Sequence, residues 1–177
     1  LDPVDPSVVY AAGGGKLEKS VDSGKTWSVV SGAASGSTMV VSVSPASHTT
    51  VYVSSAVGGG QGGSSVLSRS TDAGTTWTQL LNIQDKTGNS PWLGQQGYYA
   101  NAMAINPSNA EEAILGGLDI YSASAGGSTY TKLTDWTTPS SNGNYAHADV
   151  HLLQYFGNTL YALTDGGLYA STNNGVS

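Results

Sequence analysis

Ser20-Val21-Asp22-Ser23-Gly24-Lys25-Thr26-Trp27 returns 50 residues later as Ser70-Thr71-Asp72-Ala73-Gly74-Thr75-Thr76-Trp77. Both copies read Ser-x-Asp-x-Gly-x-Thr-Trp. A looser version, Ser122 to Tyr130, keeps a glycine, a threonine and an aromatic 53 residues after Trp77. A fourth, Ser171-Thr172-Asn173-Asn174-Gly175-Val176-Ser177, reaches the chain end where its tryptophan is due. Recurrence at this interval describes stacked supersecondary units, each burying a face against the next.

The motif is hairpin-turn chemistry. An aspartate bonds nearby backbone N–H groups, and a glycine two residues on takes positive φ. Threonine and tryptophan then open a strand, where β-branched and aromatic side chains pack well. Ser20, Asp22, Gly24, Trp27, Ser70, Asp72, Gly74 and Trp77 are therefore read as structural residues, the aspartates spent on their own turns.

The octapeptide resembles the Asp-box, or bacterial neuraminidase repeat, of β-propeller proteins. Sialidases, xyloglucan-degrading glycoside hydrolases, sortilin-type receptors and exported bacterial surface proteins carry it. The resemblance implies an all-β chain: an arc of about three and a half four-stranded antiparallel blades at roughly 50 residues each. Closed rings hold about four to eight blades, and an open arc exposes sheet edges and core. The chain is expected to be a fragment of a larger ring, its partners including the remaining blades of the same polypeptide. The blades are expected at 1–38, 39–100, 101–146 and 147–177.

Composition narrows the function. Charged residues make up only 10% of the chain, net charge is −6, and the cations are Arg69 and five lysines. That argues against nucleic acid or an anionic membrane as a partner. No apolar run is long enough to insert in a membrane, and without cysteine there are neither disulfides nor thiolate metal ligands. The chain starts at Leu1 without an initiator methionine, so any targeting segment is expected to have been removed or to lie outside it. Helical periodicity is absent. Short Val/Leu/Tyr runs between Gly, Ser, Thr and Asn clusters predict strands at 8–12, 16–20, 26–30, 39–43, 50–55, 65–69, 76–80, 101–105, 112–115, 118–121, 129–133, 148–155, 159–164 and 168–170.

Such blades sort their loops by face. The repeated turns lie on one side, with loops joining first and second strands. Inter-blade connections and loops joining second and third strands lie on the other. The second side holds the long connections 81–100 and 134–146, and long loops on a repeat scaffold usually carry function. They hold Trp92, Tyr98, Tyr99, Trp136 and Tyr145, interleaved with Gln95, Gln96, Asp135, Asn142 and Asn144. Aromatic plates beside amides and carboxylates suit hydroxyl-bearing ligands such as sugars; rings that pin the loops to the rim are the competing reading.

The stretch Tyr145-Ala146-His147-Ala148-Asp149-Val150-His151 enters the innermost strand of the fourth blade. A period of two puts His147, Asp149 and His151 on one side, lining the axial channel or its mouth. Three roles stand open: a hydrogen-bonded lining, ligands for a divalent metal, or a catalytic or substrate-gripping group. Asn101 holds a matching place in the third blade. No other cofactor is implied.

Gln96 to Pro107, His147 to His151 and Thr164-Asp165-Gly166-Gly167-Leu168-Tyr169 are similar to exported bacterial proteins with sortilin-like or sialidase-like propellers, the glycosyl hydrolase repeat proteins. The resemblance implies a secreted or cell-surface protein, a Type IX secretion cargo or adhesin, that binds glycan or protein through its long-loop face. A sialidase grips its substrate carboxylate with several arginines, and Arg69 alone cannot. A xyloglucanase-like hydrolase needs two carboxylates across a cleft; Asp149 is one candidate, with Asp135 or Asp85 as the other. A scaffold without ligand is the third alternative. Ser23-Gly24-Lys25-Thr26 is no phosphate loop, since Lys19 stands where the first glycine is required.

Overall fold

The computed structural model describes residues 1–58, 64–84, 92–94, 96–124 and 129–177. Among them fourteen strands form four antiparallel sheets and there is no helix. The first sheet is β1 (Val9–Gly13), β2 (Lys16–Ser20) and β3 (Ser28–Val30). The second is β4 (Thr38–Ser44), β5 (Ser47–Val57), β6 (Ser64–Ser70) and β7 (Thr78–Gln84). The third is β8 (Ala102–Ile105), β9 (Ala113–Gly116), β10 (Ile120–Ser124) and β11 (Thr129–Lys132). The fourth is β12 (Val150–Phe156), β13 (Thr159–Thr164) and β14 (Gly167–Ser171). Every sheet is an up-and-down meander in chain order. The predicted spans at 16–20 and 159–164 coincide with β2 and β13.

The repeated turn explains how the first two sheets make their outer corners. Ser20 Oγ donates to Asp22 Oδ1 (2.7 Å) and accepts from Gly24 N (2.8 Å), while Asp22 accepts from Thr26 N (2.8 Å) and Thr26 Oγ1 (2.6 Å). The second copy repeats these bonds at 2.7, 2.8, 2.8 and 2.6 Å. Each tryptophan donates Nε1 to the turn glycine's carbonyl, at 3.0 Å for Trp27 and 3.1 Å for Trp77. Ser23 and Ala73 take φ of 62° and 57°, and the glycines after them follow at 84° and 89°, which only glycine holds without strain. At the fourth copy Asn173 stands in for aspartate, and Ser177 N donates to its Oδ1 at 3.0 Å. The third copy falls partly on 125–128, outside the described residues.

Between the sheets lie three apolar layers. Leu17, Met39 and Val53, with Val30 and Trp77 against them, join the first sheet to the second. Tyr52 and Leu67 meet Trp92, Met103, Leu115 and Tyr121 between the second and third. Ile114 and Ile120 meet Val150, Leu153, Leu160 and Ala162 between the third and fourth. A fully buried leucine in such a layer contributes about 1.5–3 kcal/mol. The innermost strands β4, β8 and β12 border an axial cavity of about 510 Å³, lined in part by Val41, Val43, Met103, Ile105, Leu153 and Tyr155. Ser42 and Gln154 add polar groups to this lining, and, contrary to expectation, His147, Asp149 and His151 are not part of it.

The entry to β12 departs from the expected alternation. Asp149 is left-handed, with φ of 63°. Val150 N bonds Gly117 O of the preceding sheet at 2.8 Å, and the register slips between Val150 and Leu152, leaving His151 as the bulged residue. A bulge breaks the period of two. His147 and Asp149 thus precede the strand rather than sharing one of its sides with His151.

Candidate functional site

Three segments converge beside that bulge. The connection before β8 turns on itself, Tyr99 N and Ala100 N both donating to Gln96 O (2.8 and 2.9 Å). Gly97 lets it lie against β5, where a Cβ would stand 2.7 Å from the Ala56 methyl. β12 supplies His151. The turn joining β13 to β14 supplies Asp165, with Gly166 N bonded to Thr164 Oγ1 at 3.1 Å. A Cβ on Gly166 would come within 2.3 Å of His147 Cβ, so the turn lies on that histidine's side chain.

His151 Nε2 and Asp165 Oδ1 are 2.8 Å apart. Tyr99 donates its hydroxyl toward both Asp165 oxygens at 3.3 Å, and its ring meets the His151 ring edge-on at 4.8 Å. The His151 bond holds the Asp165 carboxyl below the usual carboxylate range, with the Tyr99 bond and the fields of both histidines helping. In return the Asp165 charge raises the Tyr99 phenol, and Asp149 adds to the effect. Asp149 Oδ1 is buried without a hydrogen-bond partner. The cluster stays open to water: Tyr99 is 51% exposed and Tyr98, beside it, 73%.

The other sequence candidates divide. Trp92 is not a surface plate. It is fully buried, donates Nε1 to Ser54 Oγ (3.2 Å) and tilts against Tyr130 at 5.8 Å. Its backbone passes so close to Gly117 that a Cβ there would stand 1.9 Å from Trp92 O. Asn101 likewise serves the scaffold, accepting from Ser54 Oγ at 2.8 Å. Asp135 caps its own turn, taking Thr137 N (3.0 Å) and Thr137 Oγ1 (2.6 Å) with Lys132 Nζ at 3.5 Å, and the Thr137 bonds hold it ionised. A carboxylate so occupied is a poor general acid. Lys132 also bonds Asp119 at 2.9 Å, whose other oxygen takes Trp136 N at the same distance. Trp136 is 45% exposed. Tyr145 meets Tyr169 edge-on at 6.2 Å and lines a cleft of about 210 Å³ with Leu160 and Ala162. Asp85 and Gln95 lie outside the described residues.

Among the described residues no three His, Asp or Glu side chains are arranged to hold a metal ion, so the His147, Asp149, His151 ligand set does not form. Arg69 pairs with Glu111. Asp165 is the member that sequence reading passed over. β12 and β13 pair Val150 with Thr164, which puts the residue after Thr164 beside the start of β12.

Several solved structures are similar to this one in fold. An ancestral GH74 enzyme superposes with a TM-score of 0.65 at 20% identity, over 99% of this chain and 22% of its own. The GH74 enzyme of Niastella koreensis gives 0.61 at 19% identity, over 99% and 29%. YCF48 from Cyanidioschyzon merolae gives 0.55 at 18%, over 96% and 50%. The chain is a β-propeller arc. It spans between about a fifth and a half of the length of these neighbours. At such identities the likeness concerns the fold alone. No protein-family model and no curated protein matches the chain. No helix among the described residues is long and apolar enough to cross a membrane.

Proposed function

We propose that this arc belongs to a larger exported, cell-surface Asp-box propeller and binds carbohydrate on its loop face. Tyr98 and Tyr99 would stack a sugar ring, and the His151–Asp165 pair would take its hydroxyls. The observation that carries this reading is Tyr99 itself, half exposed and oriented by a carboxylate that keeps further lone pairs free. Aromatic faces beside fixed polar groups are how a binding site combines contact area with orientation. That two structural neighbours are GH74 enzymes supports looking for a carbohydrate ligand on this scaffold.

A glycan array followed by calorimetry tests it. Wild type should bind a subset of glycans, Tyr99→Ala should lose at least about tenfold in affinity, the scale of 1.4 kcal/mol, and Asp165→Asn should also weaken binding. No bound glycan, or unchanged affinity in both variants, overturns the reading. A hydrolase reading rests on Asp149, whose Oδ1 has no partner. It requires polysaccharide cleavage that Asp149→Asn abolishes while binding persists. A peptide ligand is the other outcome to look for, since one structural neighbour is YCF48 bound to D1 peptide, at a TM-score of 0.51.

A further inference from the structure

Three places in the chain set an amide or acid side chain directly before a glycine: Asn142-Gly143, Asp165-Gly166 and Asn174-Gly175. Such a pair can react with itself. The glycine nitrogen attacks the side-chain carbonyl carbon of the residue before it, and with no Cβ on glycine nothing crowds the approach. The attack needs a nitrogen that is not already donating to an acceptor, and a backbone free to turn toward the side chain.

At two of the three places the fold denies this. Gly175 N donates to Ser171 Oγ at 2.8 Å, and the Asn174 amide oxygen takes the Tyr155 hydroxyl at 3.1 Å. The same glycine-to-serine bond closes the two complete turns, Gly24 N to Ser20 Oγ and Gly74 N to Ser70 Oγ, both at 2.8 Å. Gly166 N donates to Thr164 Oγ1 at 3.1 Å, its backbone is pressed on His147, and Asp165 is fastened by His151 and Tyr99.

Asn142-Gly143 is held by none of these devices. Both residues are exposed, and among the described residues nothing accepts from Gly143 N. Beyond its chain neighbours, no atom stands within 4 Å of where a Cβ on Gly143 would be. The Asn142 amide oxygen makes one long contact, 3.4 Å from Asn144 N. The pair sits in the connection from 134 to 146, where Asn142 N donates to Pro139 O (2.9 Å) and Tyr145 N to Asn142 O (3.1 Å).

We propose that Asn142 is a site of self-modification on the loop face, deamidating through a cyclic imide closed by Gly143 N. The bond from Gly143 N to Asn142 Cγ forms and the bond from Cγ to Nδ2 breaks. Nδ2 leaves as ammonia, taking up the Gly143 proton through solvent. Water then opens the imide. Opening at one carbonyl leaves aspartate; opening at the other leaves isoaspartate, with the side-chain carbon drawn into the backbone. Either product adds one negative charge to the net −6. Isoaspartate also takes the carbonyl that accepts Tyr145 N out of the main chain and leaves it a free carboxylate.

The protein is incubated in neutral buffer and mapped at intervals by mass spectrometry, with electron-transfer fragmentation to separate aspartate from isoaspartate. A parallel sample in concentrated urea supplies the intrinsic rates. There Asn142 and Asn174, each followed by glycine, should convert at similar rates. In the folded protein Asn142 should convert at least about tenfold faster than Asn174. Gly143→Ala should slow Asn142 by about tenfold, because its methyl crowds the attacking nitrogen. Ser171→Ala, which frees Gly175 N, should narrow the gap between the two sites. Equal rates at Asn142 and Asn174 in the folded protein overturn the proposal. So does an Asn142 that converts in urea and stays an amide in the fold.

Discussion

Asp72 and Asp165 are both exposed aspartates in turns between neighbouring strands, and they are bonded in opposite ways. Asp72 takes its donors from Ser70 and Thr76, two and four residues away. Asp165 takes its donors from His151 and Tyr99, 14 and 66 residues away. A carboxylate saturated by its own turn makes a corner that works wherever the octapeptide occurs, as the equal geometry at Asp22 shows. A carboxylate held by distant groups exists only when two sheets are in place. It ties them together and still faces water. The regular face is therefore scaffold by local chemistry, and the irregular face can recognise something because its groups were gathered by packing.

The sharpest way to break that division is through the tryptophans of the irregular face. Trp92→Ala should cost about 3–5 kcal/mol, since it empties a fully buried indole site. Trp136→Ala should stay within about 0.5 kcal/mol, because a half-exposed ring is lost while the backbone bond to Asp119 remains. Denaturant unfolding measures both; similar losses would mean the loop face is packed throughout and has no free aromatic surface. Gly166→Ala comes next, at about 1–3 kcal/mol, because its methyl collides with the His147 side chain. The same change should weaken any ligand held by Asp165. An unchanged midpoint would show the turn to be free of His147.

The corners were legible because their chemistry is local. Ser-x-Asp-x-Gly-x-Thr-Trp names every donor and acceptor it uses, and the spans of β2 and β13 follow from runs bounded by turn residues. What sequence reading missed was imposed from elsewhere. Alternation put His147, Asp149 and His151 on one side, but Gly117 O of the third sheet claims Val150 N, Asp149 turns left-handed, and His151 bulges. Trp92 looked like a sugar plate because it sits among polar loop residues. It is buried because Ser54 receives its indole and Gly117 admits its backbone. Asp165 needed the β12–β13 register before it could be placed beside His151.

Acid should separate the two kinds of aspartate. Thr26 and Thr76 bonds bring Asp22 and Asp72 from 3.8 down to about 2. A carboxyl depressed in the folded state adds stability above its unfolded value and loses it as pH falls through the folded one. Thermal midpoints should therefore drop between about pH 4 and pH 2, and the Asp22→Asn, Asp72→Asn pair should flatten much of that drop. The slope that remains belongs to Asp165 and the other lowered carboxyls, Asp2, Asp5 and Asp135. If the double variant keeps the full slope, the turns are not where the acid acts.

The smallest effect is the most informative about the site. Tyr99→Phe keeps the ring, and with it the edge contact to His151, and removes only the hydroxyl that reaches Asp165. Global stability should not change measurably. The Asp165 carboxyl should titrate somewhat higher, yet stay below the ordinary aspartate value, because the stronger His151 bond survives. Carbon-detected NMR titration of the carboxyl reads this directly. Sugar affinity should fall less than in Tyr99→Ala, since stacking persists and only orientation is lost. An equal loss in the two variants would show that the hydroxyl grips the ligand itself; no loss in either would remove Tyr99 from the binding surface and leave the cluster as a clasp between two sheets.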